Sequence, residues 1–282
     1  MSRQPHESNG VKDFSQKPVR LLGTDLDGTL LDHLGYVSKS NLAAIAKARK
    51  HKIISIISTA RSIRSTRQIA SAGGLGPLAV CQNGAAIYDL SNDRLISHTP
   101  IEQDLAGSII QKIREQVPGV IFAIEKLERF IPEHDFFAYS APGLFENPID
   151  DVLSEVDRPI TKIICKHSQI SHDELKEIAE NACGNLVATT SAGVDWVDFQ
   201  ALGTSKATGL AHAGQVLGLD QTESAAIGDQ SNDVPMLIWA NYSAATANAN
   251  DEAKAAANWL APANTENGVA AFIQHLIDKF NS

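Results

Sequence analysis

The sequence is poor in cysteine, in positive charge and in long apolar runs, and each shortage removes a class of protein. Its three cysteines among 282 residues, Cys81, Cys165 and Cys183, are odd in number and none lies in a CxxC spacing. Neither a disulfide framework nor a cysteine zinc site is indicated, and a reducing compartment fits best. Lys and Arg number 24 against 33 Asp and Glu, a formal net charge of −9. That balance argues against a nucleic-acid or anionic-membrane partner. No stretch approaches the roughly 18 consecutive apolar residues of a spanning helix. A dinucleotide fingerprint is also missing, since Gly73-Gly74-Leu75-Gly76 has the wrong spacing and no strand before it, and there is no HExxH, GxSxG or Walker loop. Met1 to Lys17 is polar and mixed in charge with no apolar centre, which predicts a flexible tail rather than a signal peptide. A cytoplasmic location is expected.

What remains is an ordinary globular composition, 43% hydrophobic and 20% charged. A chain of this length suggests two domains, or one with a large insertion. The segment Val19 to Leu31 opens as an apolar run and then carries Asp25 and Asp27 one residue apart, followed by Gly28. Such a run reads as a strand buried on both faces of a parallel sheet, and ligands bind beyond the carboxyl ends of such strands. Two carboxylates ~4 Å apart at an effective dielectric of ~20 repel by roughly 4 kcal/mol. Either one is protonated or a cation lies between them, and oxygen ligands suit Mg²⁺. Taken alone, the same residues read equally well as a polar turn.

Further along, Ile53 to Ile57 is a second strand ending in Ser58, Thr59 and Arg61 before a helix, and Leu78 to Cys81 a third strand ending in Gln82-Asn83-Gly84. The strand, helix, strand order predicts a parallel α/β core. From about Tyr88 to Asp195 helical stretches (Leu105 to Val117, Asp173 to Ala182) alternate with strand-like ones (Val120 to Glu125, Ile160 to Lys166, Leu186 to Thr190). This predicts an inserted α+β unit at 88–195 within a core formed by 18–87 and 196–282, with Trp196 to Phe199 as the returning strand. His134, Phe136, Phe137 and Tyr139 could serve as lid contacts, but aromatics in such a unit are more often core, and no role is assigned to them. Gly203 to Lys206 opens a helix, and a lysine in a first turn makes sense facing an anion, or else as a solvated surface group. Ser224 to Ile227 is a further strand, ending in Asp229, Asn232, Asp233 and Pro235. Those acids could simply cap the next helix.

Four strand ends thus carry Asp25 with Asp27, Thr59, Lys206, and Asp229 with Asn232 and Asp233. Together with Asn83-Gly84, Ala247-Asn248-Ala249 and Asn267-Gly268-Val269, this order resembles the haloacid dehalogenase-like superfamily of phosphohydrolases, specifically Cof-type members with a large α/β cap of type IIB. The resemblance implies a Rossmann-like core, Asp25 as nucleophile through an aspartyl-phosphate, and Asp27 as proton donor and then base. It implies Mg²⁺ held by Asp25, the backbone carbonyl of Asp27 and Asp229, with Thr59, Lys206 and Asn232 on the phosphoryl oxygens and Asp233 in the outer shell. The departures are Ala60, Ala201, Ala207 and Thr246, where relatives usually carry Gly, Pro, Gly and Met; none removes a reactive group. The expected function is a Mg²⁺-dependent phosphatase of small phosphorylated metabolites, sugar phosphates foremost. A phosphotransferase or phosphomutase would use the same residues, and a non-catalytic phosphometabolite sensor would keep the fold without needing Asp27. Oligomeric state leaves no trace in the sequence.

Overall fold

The computed structural model describes residues 17–73, 75–136, 148–190 and 195–281. The predicted tail up to residue 16, and Gly74, Phe137 and Tyr139, lie outside the described residues. Thirteen strands among them form two sheets. The first has eight strands in the order β13-β12-β11-β1-β2-β3-β4-β5. Its parallel part is β1 (Leu21–Thr24), β2 (Ile54–Ser58), β3 (Leu78–Cys81), β11 (Ser224–Gly228), β12 (Tyr242–Thr246) and β13 (Trp259–Ala261); β4 (Ala86–Asp89) and β5 (Arg94–His98) close one edge antiparallel.

The parallel strands inside the sheet, β1, β2, β3, β11 and β12, are buried on both faces, which explains their largely apolar sequence. One face holds Leu22, Ile57 and Ile227 against α1 (Lys39–Lys50), α2 (Ile63–Gly73) and α8 (Gly268–Phe280). The other holds Leu21, Ile56 and Ala226 against α5 (Lys206–Val216), α6 (Val234–Trp239) and α7 (Asp251–Ala256). Ser38 caps α1 by accepting from the Asn41 N–H at 3.1 Å, as its position before the apolar spacing predicts.

The second sheet is antiparallel, in the order β7-β6-β8-β10-β9, from β6 (Ile121–Lys126), β7 (Arg129–Pro132), β8 (Lys162–Lys166), β9 (Val187–Thr190) and β10 (Val197–Ala201). Its strands alternate. Phe122, Ile124, Ile163, Cys165, Val197 and Phe199 pack under α3 (Gln103–Gln116) and α4 (His172–Cys183). The opposite face carries Glu125, Lys162, Asp198 and Gln200, with Asp198 across from Ile164. It also carries Ala123 and Ile164, with Phe136 buried against them.

Two strands bear on the limits expected for the insertion. β5 extends the first sheet beyond residue 88, because its backbone pairs with β4. The strand that begins after Trp196 pairs with β8 and β9, so it belongs to the second sheet and the chain returns to the first only after Ala201. Strand-like sequence marks a strand without naming its sheet. No described helix is long and apolar enough to cross a membrane.

Candidate active site

The carboxyl ends of β1, β2 and β11 meet the first turn of α5, and the sequence at each end fixes a side chain there. After β1 the chain turns sharply through Leu26–Leu30, with Gly28 at φ +75°. A Cβ on Gly28 would stand 2.2 Å from Asp229 Oδ2, so only glycine lets this turn approach the end of β11 so closely. The turn carries Thr29, whose hydroxyl donates to Asp229 Oδ1 at 2.7 Å. Asn248 Nδ2 donates to the Gly28 carbonyl at 2.8 Å and steadies it from the end of β12.

α5 starts on Lys206, with Ser205 as its cap accepting from Thr208 N–H at 3.2 Å. The helix lies against β3 at unusually short range: a Cβ on Gly209 would stand 2.4 Å from Val80 Cγ1 and 2.8 Å from Gly84 Cα. This contact aims Lys206 inward. Its Nζ lies 2.6 Å from Asp25 Oδ1 and 2.5 Å from Asp233 Oδ1, with only 1% of the side chain exposed.

One oxygen from each of Asp25, Asp229 and Asp233 falls within 4.8 Å of the others. Three buried carboxylates therefore face one ammonium, a formal excess of two negative charges. The electrostatics register that excess. Burial pushes the Asp25 carboxyl well above its ordinary range, with Asp233 and Asp229 adding to the rise and Lys206 opposing it. Burial and the neighbouring Asp233 push Asp229 up to about 6, against the hydrogen bonds from Thr29 and Gln230. Burial works against the charge on Lys206, but Asp233 and Asp25 outweigh it and hold the group protonated, above its ordinary value.

The residues fit a divalent cation of the Mg²⁺ kind: the donors are all oxygen, the charge excess is two, and Asp25 and Asp229 resist ionisation without one. Asp233 is already satisfied. Its Oδ2 accepts from the Asp229 and Gln230 N–H groups at 2.8 and 2.9 Å while Oδ1 takes Lys206, which makes it the acid that orients the lysine.

Asp27 stands apart from this cluster. Its carboxylate is half-exposed, 58%, and is gripped by Arg61, with Nε at 2.7 Å from Oδ2 and Nη2 at 2.6 Å from Oδ1. The expected repulsion between Asp25 and Asp27 is thus relieved by two separate cations, Lys206 for one and Arg61 for the other, rather than by an ion between their side chains. Any contribution of Asp27 to a metal would come from its carbonyl. Thr59 is fully buried at the end of β2, its hydroxyl accepting from Arg61 N–H at 3.2 Å. Asn232 donates through Nδ2 to Asn83 Oδ1 at 3.0 Å, and Asn83 donates to Thr190 Oγ1 of the second sheet at 3.3 Å.

Sequence reasoning gave no role to Arg61, Thr29 or Asn83. Arg61 follows Thr59 by two residues and Thr29 follows Asp27 by two, so both travel with residues that were singled out, but their partners lie far off in the chain.

This arrangement can hold a divalent cation among buried carboxylates. The chain matches the model of the haloacid dehalogenase-like hydrolase family over residues 22–273. It belongs to that family. Among its relatives is a 5-amino-6-(5-phospho-D-ribitylamino)uracil phosphatase of Bacillus subtilis (strain 168), 27% identical over 266 residues that cover 92% of this chain and 96% of that protein. A pyridoxal phosphate phosphatase of Escherichia coli (strain K12) is 27% identical over 275 residues, covering 92% and 99%. The fold is shared with a subclass IIB sugar phosphatase at a TM-score of 0.76 and 20% identity, over 91% of this chain and 98% of that one. The chain is accordingly a haloacid dehalogenase-like phosphatase of the Cof type, with the parallel sheet as its core and the antiparallel sheet as its cap.

Proposed function

We propose that the chain hydrolyses small phosphorylated metabolites, sugar phosphates among them, through an aspartyl-phosphate on Asp25 with Mg²⁺ bound by Asp25, Asp229 and the Asp27 carbonyl. The buried carboxylate cluster, two positive charges short of neutral, carries this reading. It needs a divalent cation, and with the cation in place it can accept a phosphate ester that three bare carboxylates would repel. The related phosphatases act on a phosphoribityl compound and on pyridoxal phosphate, which supports a small phosphomonoester without selecting one.

In the first step an Asp25 carboxylate oxygen bonds to phosphorus while the bond from phosphorus to the ester oxygen breaks. Asp27 gives a proton to that departing oxygen. In the second step Asp27 takes a proton from water, the water oxygen bonds to phosphorus, and the bond to Asp25 breaks to release inorganic phosphate. Bound Mg²⁺ supplies Lewis acidity toward the phosphoryl oxygens. Lys206, Thr59 and Asn232 hold those oxygens, and Asp233 keeps Lys206 pointed at them. Asp27 reaches the leaving group only by loosening its grip on Arg61, so the substrate's negative charge competes with Asp27 for the guanidinium.

Phosphate release from a panel of sugar phosphates and p-nitrophenyl phosphate, with and without Mg²⁺, tests the reading. Release should require the metal and should fall at least about 10³-fold in Asp25→Asn, whereas release that survives this substitution unchanged removes Asp25 from the mechanism. Asp27→Asn should retain Mg²⁺ binding and lose most turnover.

A further inference from the structure

The turn after β3 holds an unusual backbone: Gln82, Asn83 and Gly84 all have left-handed φ, at +50°, +53° and +100°. Two consecutive non-glycine residues there are strained, and such strain persists only where the surroundings over-determine it. Here the two sheets share that task. On the core side, Gln82 N–H donates to the Arg61 carbonyl and Asn83 N–H to the Thr59 carbonyl, both at 2.9 Å. On the cap side, Gln82 Nε2 donates to Glu125 Oε2 at 2.6 Å and to the Leu127 carbonyl at 3.0 Å, and the Gln82 carbonyl accepts from Gln200 Nε2 at 2.7 Å. Both glutamines are fully buried.

Glu125 is itself fixed. Lys162 Nζ lies 3.7 Å from its Oε1 and 3.4 Å from Asp198 Oδ2, all three side chains buried on the helix-free face of the cap sheet. A buried ammonium between two carboxylates is an expensive arrangement that a cap needs neither for its own apolar core nor for solubility. Its outward connection is through Glu125 to Gln82, and from there one residue on to Asn83 and Asn232. The chain of contacts from the cap's buried ions to the phosphate-facing amide is continuous.

We infer that Gln82 is a positioning residue that links the seating of the cap sheet to anion binding at the core. With the cap seated, Glu125 and Gln200 hold the strained turn and Asn83 keeps Asn232 aimed at the anion. With the cap lifted, the turn loses those restraints and relaxes. By linkage an anion in the core then favours the seated cap, by the same factor that the seated cap favours the anion. This inference rests on the phosphoryl-binding reading above.

Amide hydrogen exchange with orthovanadate and Mg²⁺ as the probe tests it. In the native protein, vanadate should slow exchange both near Leu21–Thr24 in the core and in Ile121–Lys126 and Val197–Ala201 of the cap. In Gln82→Leu it should slow the core alone, with the inhibition constant of vanadate rising about fivefold or more. Glu125→Leu should behave as Gln82→Leu does. Glu125→Gln, whose amide oxygen still accepts from Gln82, should keep the linkage and so separates it from loss of folding. Vanadate protection confined to the core of the native protein, or cap protection that survives in both leucine variants, overturns the inference. No protection anywhere overturns the phosphoryl-binding reading with it.

Discussion

Burial raises the carboxyls of both Asp25 and Asp229, so a metal entering this site competes with protons. Burial and Asp233 raise the Asp229 pKa to about 6 from an ordinary value near 4, so in the metal-free protein that carboxyl is charged above about pH 6 and protonated below it. A cation must expel that proton to bind. Apparent Mg²⁺ affinity is therefore complete above pH 6 and weakens as the pH falls through it, by up to about tenfold per unit. Mg²⁺ titration of phosphate release between pH 5 and 8 should show this slope, and a flat dependence would remove Asp229 from the metal site.

Lys206 gives the complementary test. Lys206→Met leaves Asp25 and Asp233 buried without their cation, a change expected to cost about 3–5 kcal/mol. Thermal unfolding at pH 7 should fall accordingly and recover partly as the pH is lowered, because the raised carboxyl of Asp25 then takes up a proton. At this scale the sequence was legible where chemistry sits beside a core strand end, as for Asp25 and Asp229, or opens a helix, as for Lys206. It was illegible where a residue's meaning comes from a distant partner: nothing near Arg61 in the chain announces that it will clasp Asp27.

At the scale of elements, α5 is the piece whose placement matters most. Its first residue is Lys206, and its packing is set by glycines that touch no substrate. Gly209→Ala would drive a methyl into Val80 and the Gly84 backbone, so the helix must move away from β3 and carry Lys206 with it. Overpacking of this kind costs typically about 1–3 kcal/mol. The variant should melt lower and lose activity more than a distant surface change would. Normal kinetics in a stably folded Gly209→Ala would show that Lys206 tolerates a displaced helix. The parallel strands and their helices were readable because burial on both faces leaves continuous apolar runs. β5, half-exposed and beginning Arg94-Leu95, lacks that signature, and β10 looks like a core strand because its alternating face is buried on the far side by the core.

At the scale of the whole molecule, two units with separate apolar layers meet through several contacts: the Gln82 turn with Glu125, Leu127 and Gln200, Asn83 with Thr190, His98 with Thr161 and Arg67 with Glu128. The core sheet is covered by helices on both faces, whereas among the described residues the cap sheet has helices on one face only, its other face meeting the Gln82 turn and Phe136. The cap should therefore open first. The cysteines report each unit separately: Cys81 lies in the core sheet, and Cys165 and Cys183 lie together in the cap's apolar layer. Burial raises all three thiols, Cys81 to about 12, so none reacts while its unit is folded. Brief thiol labelling across a urea series, read by mass, should modify Cys165 and Cys183 in one step and Cys81 in a later one. In Gln82→Leu the two steps should move further apart, because a buried contact between the units has been cut. A single step for all three cysteines in both proteins would mean that the sheets fold as one unit and that their coupling does not pass through Gln82.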